Sequence, residues 1–277
     1  MSLKKAPFDV IFISYDEPNA EENFQRLRKF VPNAKRVHGV KGIANAWVTA
    51  GNLAETSHFF TVDGDIYIKD SFAWEIQDFE GPNDQRVHVY RSENAVNGLV
   101  YGYGSVHLFP TSLVREFKNF DVLDFTLSVA TKGFKIQPEV ASITRFNTSS
   151  YASWKSGFRE AAKLASGNNA YAGTAPDERS LKRLTVWCSV GADAEFGKEC
   201  ILGARMGALY GFTHENIDCI GDYTWFQKEF VKLDLSRIDE YLAEFGAELR
   251  AKFGIECADL DATASRAVKR MLPQYGL

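Results

Sequence analysis

Phe8-Asp9-Val10-Ile11-Phe12-Ile13-Ser14 is a near-continuous apolar, β-branched run. A strand wet on one face alternates polar and apolar residues. A run with so little alternation marks a strand buried on both faces, as in a parallel sheet. It stops at the polar loop Tyr15-Asp16-Glu17-Pro18-Asn19. The spacing of Phe24, Leu27 and Phe30 predicts a helix over 20–30, with Asn19 as N-cap and acids in the first turn. Pro32-Asn33 breaks it. Lys35 to Val40 reads as a second short strand. Ile43 to Leu53 reads as a helix with Ala46, Trp47 and Ala50 on one face. His58 to Val62 reads as a third strand. The order β-α-β-α-β predicts a doubly wound α/β sheet.

The third strand runs into Asp63-Gly64-Asp65. Glycine lets the backbone turn where the strand ends, so both carboxylates can face one point. Held that close they repel unless a cation sits between them. Oxygen ligands with open positions suit Mg²⁺ or Mn²⁺, which bind one or two carboxylates together with phosphate oxygens. The plainer reading is an acidic turn closing a strand. In doubly wound sheets ligands bind beyond the carboxyl ends of the strands. Ser14 to Glu17, His38 to Lys41 and Asp63 to Asp65 all follow strands, so they are expected on one rim. That convergence points to a nucleotide-type site.

Beyond the acids, Val87 to Ser92 and part of Leu99 to Phe109 alternate and read as strands exposed on one side or paired antiparallel, with 94–98 as a loop. Gly98, Gly102 and Gly104 mark bulges or close backbone approach. Leu113 to Phe117 and Val122 to Thr131 read as helices, the second ended by Gly133. Phe134 to Ile136 and Val140 to Thr144 read as short extended pieces. From about residue 146 the character changes. Helices are expected over 151–165, 200–210, 222–230 and 238–253, the last strongly amphipathic. The segment 185–190 reads as a strand or extended connector. The division is thus 1–145 as sheet core and 146–277 as a mostly helical extension covering the site.

Composition narrows the function class. The chain has 277 residues and a formal net charge of -4, so no global basic field draws it onto nucleic acid. The four cysteines, Cys188, Cys200, Cys219 and Cys257, are scattered without a Cys-x-x-Cys pair. That argues against a zinc knuckle or disulfide framework and fits reduced thiols in a cytosol. No run of about 18 apolar residues suggests a membrane span. The N-terminus leads straight into a strand, with no room for a signal peptide.

On these residues the chain resembles family 2 nucleotide-sugar glycosyltransferases with the GT-A fold, a Rossmann-like mixed sheet. The likeness runs from Phe8 to about Thr144. It rests on a first strand with its loop, Asp63-Gly64-Asp65, the glycine-rich pair Gly102-Tyr103-Gly104, and the later series Phe120-Asp121, Leu123-Asp124, Leu127-Ser128 and Gly133-Phe134-Lys135-Ile136. Through "ISYDEPNAEENF", "AKRVHGVKG", "FTVDGD", "NTSSYASWKSGFRE" and "ILGARMGALY" it also resembles glycosyltransferases of tailed bacteriophages. The resemblance implies transfer of a hexose or pentose from a UDP-type donor, in a host cytoplasm. The implied acceptor is a hydroxyl, in the phage group that of a 5-hydroxymethylpyrimidine in DNA. It places Mn²⁺ or Mg²⁺ on Asp63 and Asp65, and the donor against Ser14, Tyr15, Asp16, Glu17, Lys41 and Gly64. Asp124 would be the general base, although Leu123 stands where the family has Glu. A base there gives inversion; without it a retaining route stays open. Gly102, Tyr103, Gly104, Trp154 and Arg159 would lie on the acceptor side. Each assignment has a plainer counterpart: Asp16 and Glu17 as helix-capping acids, Asp124 as a helix-start acid, Trp154 as a packed aromatic. Two other classes stay open: a nucleotidyltransferase of similar topology, disfavoured by the acidic first loop, and a non-catalytic protein with a calcium or partner site.

Overall fold

A computed structural model describes residues 6–102, 106–120, 124–167 and 176–277. The chain divides into two units. The first comprises the residues up to Asn94 and Val100–Arg145; the second comprises Ala95–Leu99 and Phe146–Leu277.

The first unit is a mixed α/β structure. In chain order it contains β1 (Asp9–Ser14), α1 (Ala20–Phe30), β2 (Lys35–His38), α2 (Ile43–Leu53), β3 (His58–Asp63), β4 (Ile66–Ile68), β5 (Val87–Asn94), β6 (Val100–Tyr101), β7 (Val106–Pro110), α3 (Thr111–Arg115), α4 (Phe125–Val129) and β8 (Phe134–Thr144). The strands make one sheet in the order β2-β1-β3-β7-β5-β8-β4, with β6 paired to β5. β1 runs parallel to β2 and β3; β7 is antiparallel to both β3 and β5; β8 is parallel to β5.

Alternation along the strands explains why both faces are dry. Val10, Phe12, Phe60, Val62 and Leu108 point to one face, where they pack with Leu27 of α1 and with Phe72, Trp74 and Tyr90. Ile11, Ile13, Phe59 and Phe109 point to the other, against Trp47 and Ala50 of α2, Val114 of α3 and Phe125 of α4. Successive side chains on a strand point to opposite faces, so two covered faces demand a near-continuous apolar run.

Several expectations are corrected. β5 and β7 pair antiparallel, the second of the two expected arrangements, but they are interior strands and not exposed on one side: all five residues of β7 are buried, because β7 inserts between β3 and β5. The two extended pieces after Gly133 form one strand, β8. Its pairing with β5 shifts register between Val89 and Ser92, and that irregularity accommodates Pro138. Asn19 occupies the N-cap position of α1 but makes no capping bond; its amide donates to Arg145 O at 3.0 Å. The expected helix over 122–131 is confined among the described residues to α4, and residues 121–123 lie outside them.

At the amino end of β3 and β5 a buried polar cluster ties the sheet together. Asp84 accepts from Arg86 and from His88 Nε2 at 3.1 Å, and its carbonyl meets His58 Nε2 at 2.7 Å. A carboxylate only accepts, so His88 carries its proton on Nε2 and accepts on Nδ1 from Gln137 at 2.9 Å. The Arg86 guanidinium holds the Asp84 carboxyl well below the usual carboxylate range, against the effect of burial. Burial holds the His88 imidazole below its ordinary value and therefore neutral, with Asp84 opposing. Asp84→Ala should cost about 3–5 kcal/mol, because it leaves Arg86 and the His88 imidazole without their carboxylate partner. The folded pKa of Asp84 is depressed, so its contribution is present above the unfolded value and lost as pH falls through the folded one. Urea melts should show the gap between wild type and variant narrowing as pH drops below about 4.

The second unit is helical: α5 (Ser150–Ala165), α6 (Glu178–Trp187), α7 (Gly197–Thr213), α8 (Tyr223–Phe230), α9 (Ile238–Phe253) and α10 (Ala262–Met271). The expected strand over 185–190 is instead the last turn of α6 and the turn after it. Its apolar residues are buried because one face of an amphipathic helix ends there, and a short apolar run does not separate the two cases. No helix among the described residues is long and apolar enough to cross a membrane.

Candidate functional site

The carboxyl ends of β1, β2 and β3 meet on one rim of the first unit. Register places Ser14 beside His38 and Ile13 beside Asp63. The rim therefore follows from the parallel pairing of three short strands. Asp63 ends β3, Gly64 and Asp65 make the turn, and β4 begins at Ile66.

Two backbone contacts fix that turn. Asn23 of α1, buried, donates from its side-chain amide to Gly64 O at 2.9 Å. The backbone N–H of Arg145 donates to Asp65 O at 2.8 Å. The turn is also crowded. A Cβ added to Gly64 would lie 2.4 Å from Glu17 Oε2 and 3.1 Å from Ser14 Cβ. Glycine thus leaves room for the carboxylate of Glu17 to reach the acidic turn; a side chain there would push Glu17 away. The same oxygen accepts from the Tyr15 N–H at 2.8 Å, which folds the first loop back over the rim.

Three carboxylates consequently converge. The Asp63 carboxyl is pushed well above its ordinary range, first by burial and then by the charges of Asp65 and Glu17. Like charges so placed disfavour ionisation, and a bound cation would reverse that cost. No group of three or more His, Cys, Asp or Glu side chains among the described residues is set to hold a metal ion by itself. The donor set fits a cation held by two carboxylates and completed by phosphate oxygens, which Mg²⁺ and Mn²⁺ accept. Asp63 and Asp65 would be its protein ligands.

Beside the acids lies a second polar group. Ser14 Oγ meets His38 Nδ1 at 3.0 Å and accepts from Arg36 Nε at 3.0 Å, while Arg36 pairs with Glu21 at 2.6 Å. Tyr15 is 49% exposed, leaving its ring free to stack. Asp16 and Lys41 are exposed on the loops that follow β1 and β2.

The remaining nominated residues divide. Asp124 is the N-cap of α4 and accepts from Leu127 N at 3.0 Å. Its charge reaches His107, whose imidazole burial pushes down to about 4, with Asp124 opposing. His107 is 3% exposed, and its Nδ1 has no hydrogen-bond partner among the described residues. Gly102 lies at the end of β6, with Val89 Cγ1 3.2 Å from where a Cβ would sit. Tyr103 and Gly104 lie outside the described residues. Trp154 is corrected: it has no exposed surface and packs in the core of the second unit against Phe158, Phe226 and Phe230. A ring fully enclosed by its own unit stacks on no acceptor. Arg159 belongs to that unit too, 6.0 Å from the Tyr223 ring.

Sequence reasoning passed over Asn23 and Arg36, and gave His107, read as either buried or near the acceptor, no role. Asn23 left a signal, since it stands at i+3 in the apolar stripe of Ala20, Phe24 and Leu27, where a buried amide needs a partner. Arg36 alternates with His38 on one face of β2, and only the register shows that both meet Ser14.

Neither a protein-family model nor a curated protein matches the chain. Among solved structures, the mannosyltransferase PcManGT from Pyrobaculum calidifontis, in complex with GDP-Man and Mn²⁺, is similar over 91% of this chain and 90% of its own, at 13% identity and a TM-score of 0.41. HddC from Yersinia pseudotuberculosis is similar over 50% of this chain and 91% of its own, at 13% identity and a TM-score of 0.33. A glycosyltransferase involved in glycosylation of the major capsid of PBCV-1 is similar over 47% of this chain and 81% of its own, at 9% identity and a TM-score of 0.30. At these values none bears on which ligand this chain takes.

Proposed function

We propose that the chain is a metal-dependent glycosyltransferase of the GT-A type, moving a sugar from a nucleoside diphosphate, UDP by preference, to an acceptor hydroxyl. The observation that carries this reading is the convergence of Glu17, Asp63 and Asp65 beyond the carboxyl ends of parallel strands, around a glycine turn that the Glu17 carboxylate approaches closely. Such an arrangement costs the fold stability in the absence of a cation, which a merely structural turn has no reason to keep.

Asp63 and Asp65 would hold Mn²⁺ or Mg²⁺, which neutralises charge on the departing diphosphate. Glu17 ties the first loop to the acidic turn, so the loop carrying Tyr15 and Asp16 is placed where a base and ribose would lie. Ser14, with Arg36 and His38, closes that end. Lys41 follows β2 on the same rim and is available to a phosphate. Asp124 takes the acceptor proton. One of its oxygens is committed to the Leu127 N–H, which leaves the other for the hydroxyl. The donor half is 1–145. The acceptor suggested by the sequence resemblance is a hydroxymethylated pyrimidine in DNA.

The test is thermal melting with UDP, GDP and their sugars, each with and without Mn²⁺. The reading expects stabilisation by UDP species only when metal is present, because a ligand that binds the native state alone raises its melting temperature. Equal shifts without metal, or none with any nucleotide, would remove it. UDP release upon addition of hydroxymethylcytosine DNA then tests the acceptor.

A further inference from the structure

The helical unit contains two thiols that no step of the proposed transfer uses. Cys188 directly follows α6, and Cys257 lies in the irregular segment between α9 and α10. Those two segments run side by side. The Ala258 N–H donates to Ser189 Oγ at 3.0 Å. The fully buried Arg205 of α7 donates from Nε to Cys188 O at 2.9 Å and from a terminal nitrogen to Ala258 O at 3.1 Å. It also bonds Leu242 O and pairs with Asp259 at 2.7 Å. Each of the first three bonds joins one cysteine or its neighbour to a shared partner, so the chain segments bearing the thiols are pinned together from both sides.

The thiols themselves interact and are not equivalent. Cys188 has no exposed surface, whereas Cys257 retains 4%. Burial pushes the Cys188 thiol well up. Interaction with Cys188, followed by the guanidinium groups of Arg205 and Arg250, holds the Cys257 thiol down against burial. Cys257 is the residue of the pair that keeps any exposed surface, so it is the one a dissolved disulfide meets first, with Cys188 behind it as the resolving thiol.

We propose that Cys188 and Cys257 form a reversible disulfide by exchange with a low-molecular-weight disulfide. The Cys257 thiolate attacks one sulfur of that disulfide, forming a mixed disulfide and releasing one small thiolate. Cys188 then loses its proton and attacks Cys257 Sγ, expelling the second small thiol. Two protein thiols are oxidised and one small disulfide is reduced to two thiols. The bond closes a loop of roughly 70 residues, which restricts the unfolded chain. The proposal is independent of the glycosyltransferase reading.

The full chain, native and at mildly alkaline pH, is incubated with oxidised glutathione, alkylated and digested without reduction. A peptide linking 188 to 257 is expected, reversed by dithiothreitol. The apparent Tm should rise by about 5 °C or more. Cys219→Ser should behave as wild type, and Cys257→Ser should leave Cys188 fully alkylated. Peptide mapping of the wild type needs no variant to fold. Recovery of both residues alkylated while half-exposed Cys219 becomes glutathionylated would overturn the proposal. So would a link through Cys200, or a 188–257 link that forms only in urea.

Discussion

On the proposed function, Asp63→Asn is expected to abolish sugar transfer and at the same time to raise the stability of the metal-free protein. The two effects come from one carboxylate. Its charge is unfavourable in the apo fold, because it is partly buried beside Asp65 and Glu17; in the proposed function it becomes useful once a cation is shared with the donor. Removing it should lower turnover by about 10³-fold or more, the scale of losing several kcal/mol of transition-state charge stabilisation. The stability side has a definite pH signature. The folded pKa of Asp63 lies above its unfolded value, so ionisation works against the fold. The penalty is absent below about pH 4 and grows as pH rises toward the folded pKa. The gain from Asn is therefore near zero in acid and grows toward neutral pH. Mn²⁺ should reverse the order, stabilising the wild type and leaving the variant unmoved. Chemical denaturation at pH 4 and 7, with and without Mn²⁺, checks this beside a turnover assay. An active variant that is less stable at both pH values would make Asp63 a structural acid.

The quarter of the chain before Asp65 was nearly all legible, and the reason is local. β1, α1, α2 and β3 each carry a complete signal within their own residues: an unbroken apolar run, or a stripe at helical spacing closed by a breaker. The rim at Ser14, His38 and Asp63 then follows from parallel order alone. What could not be read was set by partners distant in sequence. β5 and β7 look half-exposed because Ser92, His88 and His107 interrupt their apolar residues; they are interior because buried polar partners such as Gln137 and Asp84 satisfy some of those groups. β4 is three residues long, too short for any period to show, and exists only because β8 offers it an edge. Trp154 drew attention as a large aromatic near a capping loop. Its burial depends on Phe226 and Phe230, some seventy positions on, which no window around it contains. Gly203, Ala204, Gly207 and Ala208 within 200–210 are a local signal of close helix packing that does not name the partner.

That partner is α5, and the closeness makes Gly203→Ala a severely disruptive single methyl at the α5–α7 contact. A Cβ at Gly203 would stand 2.0 Å from Trp154 O. One turn further along α7, a Cβ at Gly207 would stand 2.2 Å from Phe158 O, and from the other side one at Gly157 would stand 2.1 Å from Cys200 O. In all three cases the obstacle is a backbone oxygen within a helix, which cannot rotate away as a side chain can. Relief requires the two helices to separate, and separation opens voids around buried Trp154, Phe158 and Leu202. Ordinary overpacking costs about 1–3 kcal/mol; a clash that moves a whole interface should exceed about 3 kcal/mol, lowering Tm by about 10 °C or leaving the chain unfolded. Helix propensity works in the opposite direction, since alanine is favoured over glycine by about 1 kcal/mol in a helix interior, so any observed loss is steric. Gly254→Ala serves as the control. Gly254 has φ +67° and nothing within 4 Å of an added Cβ, so its cost is conformational only, about 1 kcal/mol. Thermal melts followed by far-UV dichroism compare the two. If Gly203→Ala melts no lower than Gly254→Ala, α5 and α7 do not touch backbone to backbone, and the packing of this unit is other than described.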